Sequence, residues 1–229
     1  MSFLALVKNK NKNKNKKGIK MKKPKYLENF KTDFNEIEVA QEGPSFLKVL
    51  QKSSWPLDSD KVDHYLEDAK KGDFMLSPSK KLFKHIRCNI IRVERCFLVW
   101  LPDQKAPQKY KTEEDAALAH KGMEINSQIE FHLMIGDCEH VVLPFDLAKT
   151  TQRKAAFLWM SKLKQMDAPV QAGDWSLTTL PYDTYGHSVT YAVQPTLTGW
   201  TDEENLKNLI SCAETTELPP LIEENNPQI

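Results

Sequence analysis

Apolar positions along this chain follow two rhythms, one of period two and one near 3.6, and these set the expected elements. Residues 83–101 are rich in Ile, Val, Phe and Trp and predict one long strand. Its alternation slips near Arg92 and Arg95, as at a bulge or tight turn. Ile129, Phe131, Leu133 and Ile135 alternate with Glu130, His132 and Met134, which predicts a half-buried strand. After a turn at Gly136-Asp137, Val141, Leu143 and Phe145 continue as its hairpin partner. At 147–166 the period changes, and Ala148, Ala155, Trp159, Leu163 and Met166 share one face of a helix. Strands are expected again at 175–180 and 188–197, joined by a turn at 181–186, with Val189, Tyr191 and Val193 on one side of the second.

The flanks read as helical. Residues 45–52 follow Gly43-Pro44 and place Phe46, Leu47, Val49 and Leu50 in a short helix; residues 58–71 form a second, ended by Gly72. Thr112 caps a helix running through His120, with Gly122 as its stop, and Thr201 caps the last one. The order long strand, strand, strand, helix, strand, strand is that of the OB barrel. The expected fold class is therefore α+β: an OB-like five-stranded β-barrel with a helix between strands three and four. The expected divisions are a basic arm or leader at 1–25, an N-terminal helical segment at 26–82, the OB-like core at 83–200, and a helix with an acidic tail at 201–229.

Charge sharpens this picture. Ten lysines and no acid lie in residues 1–25, so residues 26–229 carry a net −9. Residues 201–229 hold seven acids against Lys207 alone. Such segregation points to a polyanion or a charged partner. The Lys-Asn alternation at 8–17 reads either as a phosphate-holding arm or as a translated leader ahead of a true start at Met21; the second is the expectation, with side-chain charge then near −6. The acidic tail suits competition for a cationic groove, recruitment of replication or recombination proteins, or plain solubility.

Hydrophobic residues at 40% with ten phenylalanines support a packed core, and eight glycines leave little for phosphate-cradling loops. No apolar run reaches the ~18 residues of a membrane helix. Cys88, Cys96, Cys138 and Cys212 lack paired spacing and read as reduced thiols in a cytoplasmic protein. Cys138-Glu139-His140 with His132 lacks the second close pair of a tetrahedral site, so no metal and no cofactor are expected. There is no Gly-x-Ser-x-Gly, Walker or His-Glu-x-x-His sequence and no nuclease-like set of carboxylates, so the expectation is a protein that is not an enzyme.

The candidate binding residues come from two places. The 147–166 helix carries Lys149, Arg153, Lys154, Lys162 and Lys164 without one acid, and Lys149, Arg153 and Lys164 fall within about 60° on the wheel. The long strand carries Arg87, Arg92, Arg95 and Trp100. Single strands are held by cations that track phosphates and by aromatic faces on which bases stack. Phe97 and Phe131 are more readily core, whereas Trp175 and Tyr191 on the late strands are the favoured platforms.

Four stretches add a resemblance: Ser45-Phe46-Leu47-Lys48-Val49-Leu50-Gln51, Asp68-Ala69-Lys70-Lys71-Gly72-Asp73-Phe74, Lys149-Thr150-Thr151-Gln152-Arg153-Lys154 and Trp175-Ser176-Leu177-Thr178-Thr179. In this order the chain resembles tailed-phage proteins labelled as single-stranded-DNA-binding, over residues 45–198. The resemblance implies an OB-like core, binding of exposed strands in phage replication or recombination, and residence in the host cytoplasm, with Lys149, Arg153 and Lys154 in the binding role. Glu67-Asp68-Ala69 departs from it, where a glycine is expected before the alanine. The expected function is non-catalytic single-stranded DNA binding; the alternative is a phage structural or host-directed protein–protein interaction factor.

Overall fold

The computed structural model describes residues 24–26, 45–58, 60, 65–102, 104, 106–136, 139–184 and 188–215. They form a mixed α+β structure around one curled sheet. The strands are β1 Ser45–Val49, β2 Phe74–Ser77, β3 Leu82–Phe83, β4 Ile86–Val99, β5 Gln108–Tyr110, β6 Ile125–Ile135, β7 Glu139–Asp146, β8 Gly173–Thr184 and β9 Ser188–Trp200. The helices are α1 Glu113–Ala119, α2 Thr150–Met166 and α3 Glu203–Thr215. Strand order is β3-β2-β1-β7-β6-β4-β8-β9, with β5 added to β4.

β4 is the axis of this sheet. It pairs with β6 from Cys88↔Ile135 to Val99↔Ile125, and the register shifts between Ile90 and Arg92, where the sequence places a bulge. Ile86–Asn89 also pair with β8, and Phe97–Val99 with β5. The helix α2 falls between β7 and β8 in the chain and packs on β7 and β9. Its face of Ala155, Ala156, Trp159, Leu163 and Met166 is buried because these positions recur at helical spacing. Trp159 stacks on Phe131 with centroids 4.2 Å apart and meets Trp175 edge-on at 5.7 Å. Ala148, expected on that face, is exposed and precedes the helix. Asp167, left-handed at φ 49°, ends it.

Several expectations change. Residues 45–49 are a strand, parallel to β7 and antiparallel to β2, with Leu47 fully buried opposite Leu76. Sheet neighbours on both sides decide this where a run of apolar residues alone does not. Among the described residues of 58–71 there is no helix; 65–71 make turns, and Leu66 N–H donates to Pro56 O. The described residues of the 26–82 segment thus supply β1, β2 and the start of β3 to the sheet. β8 continues through the expected turn to Thr184, and residues 185–187 lie outside the described ones, as do Met21, His64, Asp137, Cys138, His187 and the tail from 216 onward. Thr112 caps α1 as expected, its hydroxyl accepting from Asp115 N–H. Thr201 does not cap α3: it is buried, its hydroxyl held with Asp174 and Gln171, and Asp202 accepts Asn205 N–H instead.

The curl is fastened by side chains. Gln51, just past β1, donates from Nε2 to Tyr191 O at 2.9 Å and accepts Tyr191 N–H at 2.8 Å. Thr179 donates to Gly72 O at 2.7 Å. Gly72 sits at φ +90°, and a Cβ there would lie 2.5 Å from the Tyr191 ring, so only glycine fits both the conformation and the space.

Candidate nucleic-acid interface

The sequence-derived cations and aromatics divide by strand face. Ser176, Thr178, Leu180 and Tyr182 follow each other at period two on the outward face of β8, while Trp175 and Leu177 point into the core. Trp175 is 1% exposed and packs against Trp159, so it is a core residue and not a stacking platform. Phe97 and Phe131 are buried as well. Tyr191 is half-buried, its main chain held by Gln51 and its ring set against Gly72, so it too gives no free face.

Arg92 is also displaced from the expected role. It lies beside Glu94, Nε to Oε1 2.6 Å, inside a buried group on the polar side of β4 and β6. The strand β6 is buried on both sides: Glu130 is 3% and His132 1% exposed, contrary to the half-buried reading. Lys109 of β5 reaches Glu130. A buried charge is tolerated only with partners, and these come from β4 and β5. His140 beside them is lowered to about 4 by burial, then by His132 and Arg92.

Arg95 is exposed but lies on the opposite face of β4, its Nε donating to Ser127 Oγ at 3.2 Å and its guanidinium over Phe97. Trp100 is 53% exposed just beyond the far end of β4. Neither adjoins the helix cations through any described contact.

α2 and the end of the β8–β9 hairpin do come together. Lys154 Nζ donates to Tyr182 Oη at 2.8 Å and stands 5.0 Å from that ring's centroid. Thr151 and Thr190 hydroxyls meet at 3.3 Å, and Lys162 donates to Pro195 O. Burial lowers the Lys162 pKa. These contacts hold the helix along β9 and turn Arg153, Phe157 and Lys164 outward. By helical geometry Phe157 falls between Arg153 and Lys154 on the exposed arc. Its side is bared, as are Leu180, Tyr182 and Val189, in the range 40–54%. Lys149 is exposed at the helix start, with Asp146 3.2 Å away to offset part of its charge.

At the other end of the same β8 face, Arg87 and His85 line an open concavity of about 610 Å³ with Met134, Ser176 and Thr198. Six residues of strand, about 20 Å, separate Ser176 from Tyr182. The result is an outward face of Ser, Thr and bared apolar groups with cations at both ends. Phe157 and Tyr182 were not singled out in the sequence; the signal for Phe157 was an aromatic on the polar arc of the helix wheel. Comparison with protein-family models, with curated proteins and with solved structures found no match to this chain.

Proposed function

We propose that this chain is a non-catalytic binder of single-stranded DNA, gripping it along α2 and the outward face of β8 and β9. The observation that carries the reading is the Lys154–Tyr182 pair, which sets an acid-free cationic helix beside an exposed aromatic ring. Arg153, Lys164 and Lys149 would hold phosphates, Tyr182 and Phe157 would stack bases, and Arg87 would take a phosphate further along the strand. The OB-like reading is supported by chain order and pairing: β4, β6 and β7, then α2, then β8 and β9, with β4 between β6 and β8. A role in phage replication or recombination in the host cytoplasm, with the acidic tail recruiting partner proteins, rests on the resemblance over residues 45–198.

The test is fluorescence anisotropy with a labelled ~30-base single strand at stepped salt. Tight binding that weakens with salt and is lost in the Arg153→Glu/Lys154→Glu protein supports the reading; no binding at low salt refutes it. The rival is a protein–protein interaction factor, favoured by the net −9 of residues 26–229 and by bared Phe157, Leu180 and Val189. Pull-down of one stable partner with no retention on single-stranded DNA would select it.

A further inference from the structure

The buried group behind β4 and β6 has a geometry its ion pairs do not explain. His132 Nε2 is 3.2 Å from Glu94 Oε2 and 3.8 Å from Glu130 Oε2, and all three side chains are nearly inaccessible. Despite the first distance, neither His132 Nε2 nor Glu94 Oε2 makes a well-aligned hydrogen bond. His132 Nδ1 has a partner, His140 Nε2 at 3.1 Å. When Nδ1 donates in that bond, Nε2 keeps its lone pair, and a cation between it and the two carboxylates satisfies all three. Three electron-rich atoms converge on one point, and the ligand-capable atoms of all three residues lie within 4.8 Å of each other.

We propose that Glu94, Glu130 and His132 form a site for a divalent first-row cation, with zinc the best fit. A tetrahedral zinc with bonds of about 2.0–2.1 Å sets its ligand atoms about 3.3–3.4 Å apart. The observed 3.2 and 3.8 Å are near that edge, and the carboxylate–carboxylate edge, within 4.8 Å, would close by side-chain rotation. His140 Nε2 can accept from His132 Nδ1, the kind of contact that commonly orients a ligating imidazole. Arg92 occupies Glu94 Oε1 and leaves Oε2 for the cation. Lys109 is the competitor: its ammonium touches Glu130 Oε2, the ligand atom itself. With 24% of its side chain exposed, Lys109 can withdraw to water and open the way in. Its departure also limits the excess positive charge that a cation beside Arg92 creates.

This site is independent of the strand-binding face, and its test needs no DNA. The full chain, dialysed against chelator, is titrated with Zn²⁺ by calorimetry and with Co²⁺ by visible absorption. One equivalent of Zn²⁺ and intense tetrahedral Co²⁺ bands are expected. Lys109→Met, which spares every ligand, should tighten binding by about 10-fold or more, on the scale of changes next to metal ligands. Glu94→Gln and His132→Asn, checked for folding by circular dichroism, should abolish it. No stoichiometric binding in either the parent or Lys109→Met overturns the proposal. So does binding that survives in folded Glu94→Gln or His132→Asn, since surface histidines would then be the ligands.

Discussion

Gln51 and Tyr191 are joined as two strand residues would be, but one of them uses its side chain. The Gln51 amide donates to Tyr191 O and accepts Tyr191 N–H, replacing a rung of ladder on the edge of β9 away from β8, where no described strand pairs. Gln51→Ala leaves both Tyr191 groups without these partners and should destabilise by about 1–3 kcal/mol. Gln51→Glu keeps the acceptor only and should recover part of the loss. Urea unfolding midpoints at constant slope measure both.

Gly72 guards the same seam. Gly72→Ala meets a positive φ and the Tyr191 ring together, so it should destabilise by more than ~1 kcal/mol, where a Gly→Ala change at a compatible φ would stabilise. Trimming Tyr191 to Leu removes the clash but not the backbone strain. The double variant Gly72→Ala/Tyr191→Leu should therefore be less unstable than the two single effects added.

On the strand-binding reading, Tyr182→Ala should lose about 1–3 kcal/mol of affinity for single strands with little change in salt dependence. Arg153→Ala should lower the salt slope by about one unit and weaken all sequences alike. Trp175→Ala belongs to the core and should cost about 3–5 kcal/mol of folding stability. Anisotropy and denaturation on the same three proteins separate these effects.

Asp202 shows how pH acts on α3. Hydrogen bonds from the Asn205 backbone and side chain depress its pKa below the ordinary carboxylate value. A depressed acid stabilises above its unfolded pKa, and that contribution fades as pH falls through the lower folded value. Protection factors of amides in the first turn of α3, corrected for intrinsic exchange at each pH, should therefore fall on acidification below about pH 4. Asp202→Asn, which retains a capping oxygen without a titrating group, should lose that pH dependence.

Cysteine reactivity should follow burial. Cys88 and Cys96 are buried and burial pushes both thiols well up, whereas Cys212 is exposed on α3. In a Cys138→Ser protein, a thiol reagent should modify Cys212 in the native state and the other two only on unfolding.

Local signals carried much of this architecture. The β4 bulge, the Thr112 cap and the apolar face of α2 were each readable because a few adjacent residues determine them. Residues 45–49 were misread because Phe46-Leu47 and Val49-Leu50 fit a helix face, and only pairing with β2 and β7 makes them a strand. Glu130 and His132 look like a solvent row by alternation. Their burial depends on Arg92, Glu94 and Lys109, which no sequence period brings to them. The helix cations of the candidate interface were legible, but Tyr182 was not, since its link to Lys154 spans two elements. Trp175 had the correct strand but the wrong side, which depends on register.

β4 also ties together the fates of two separate clusters of apolar residues. Its early part lends Ile86, Cys88 and Ile90 to the main core, and its end lends Phe97 and Val99 to a small one closed by Ala116 of α1. Both stretches share one ladder with β6 across the bulge. Neither cluster can come apart without straining that common ladder, so the small one draws on the stability of the large one and the two should melt as a single cooperative unit.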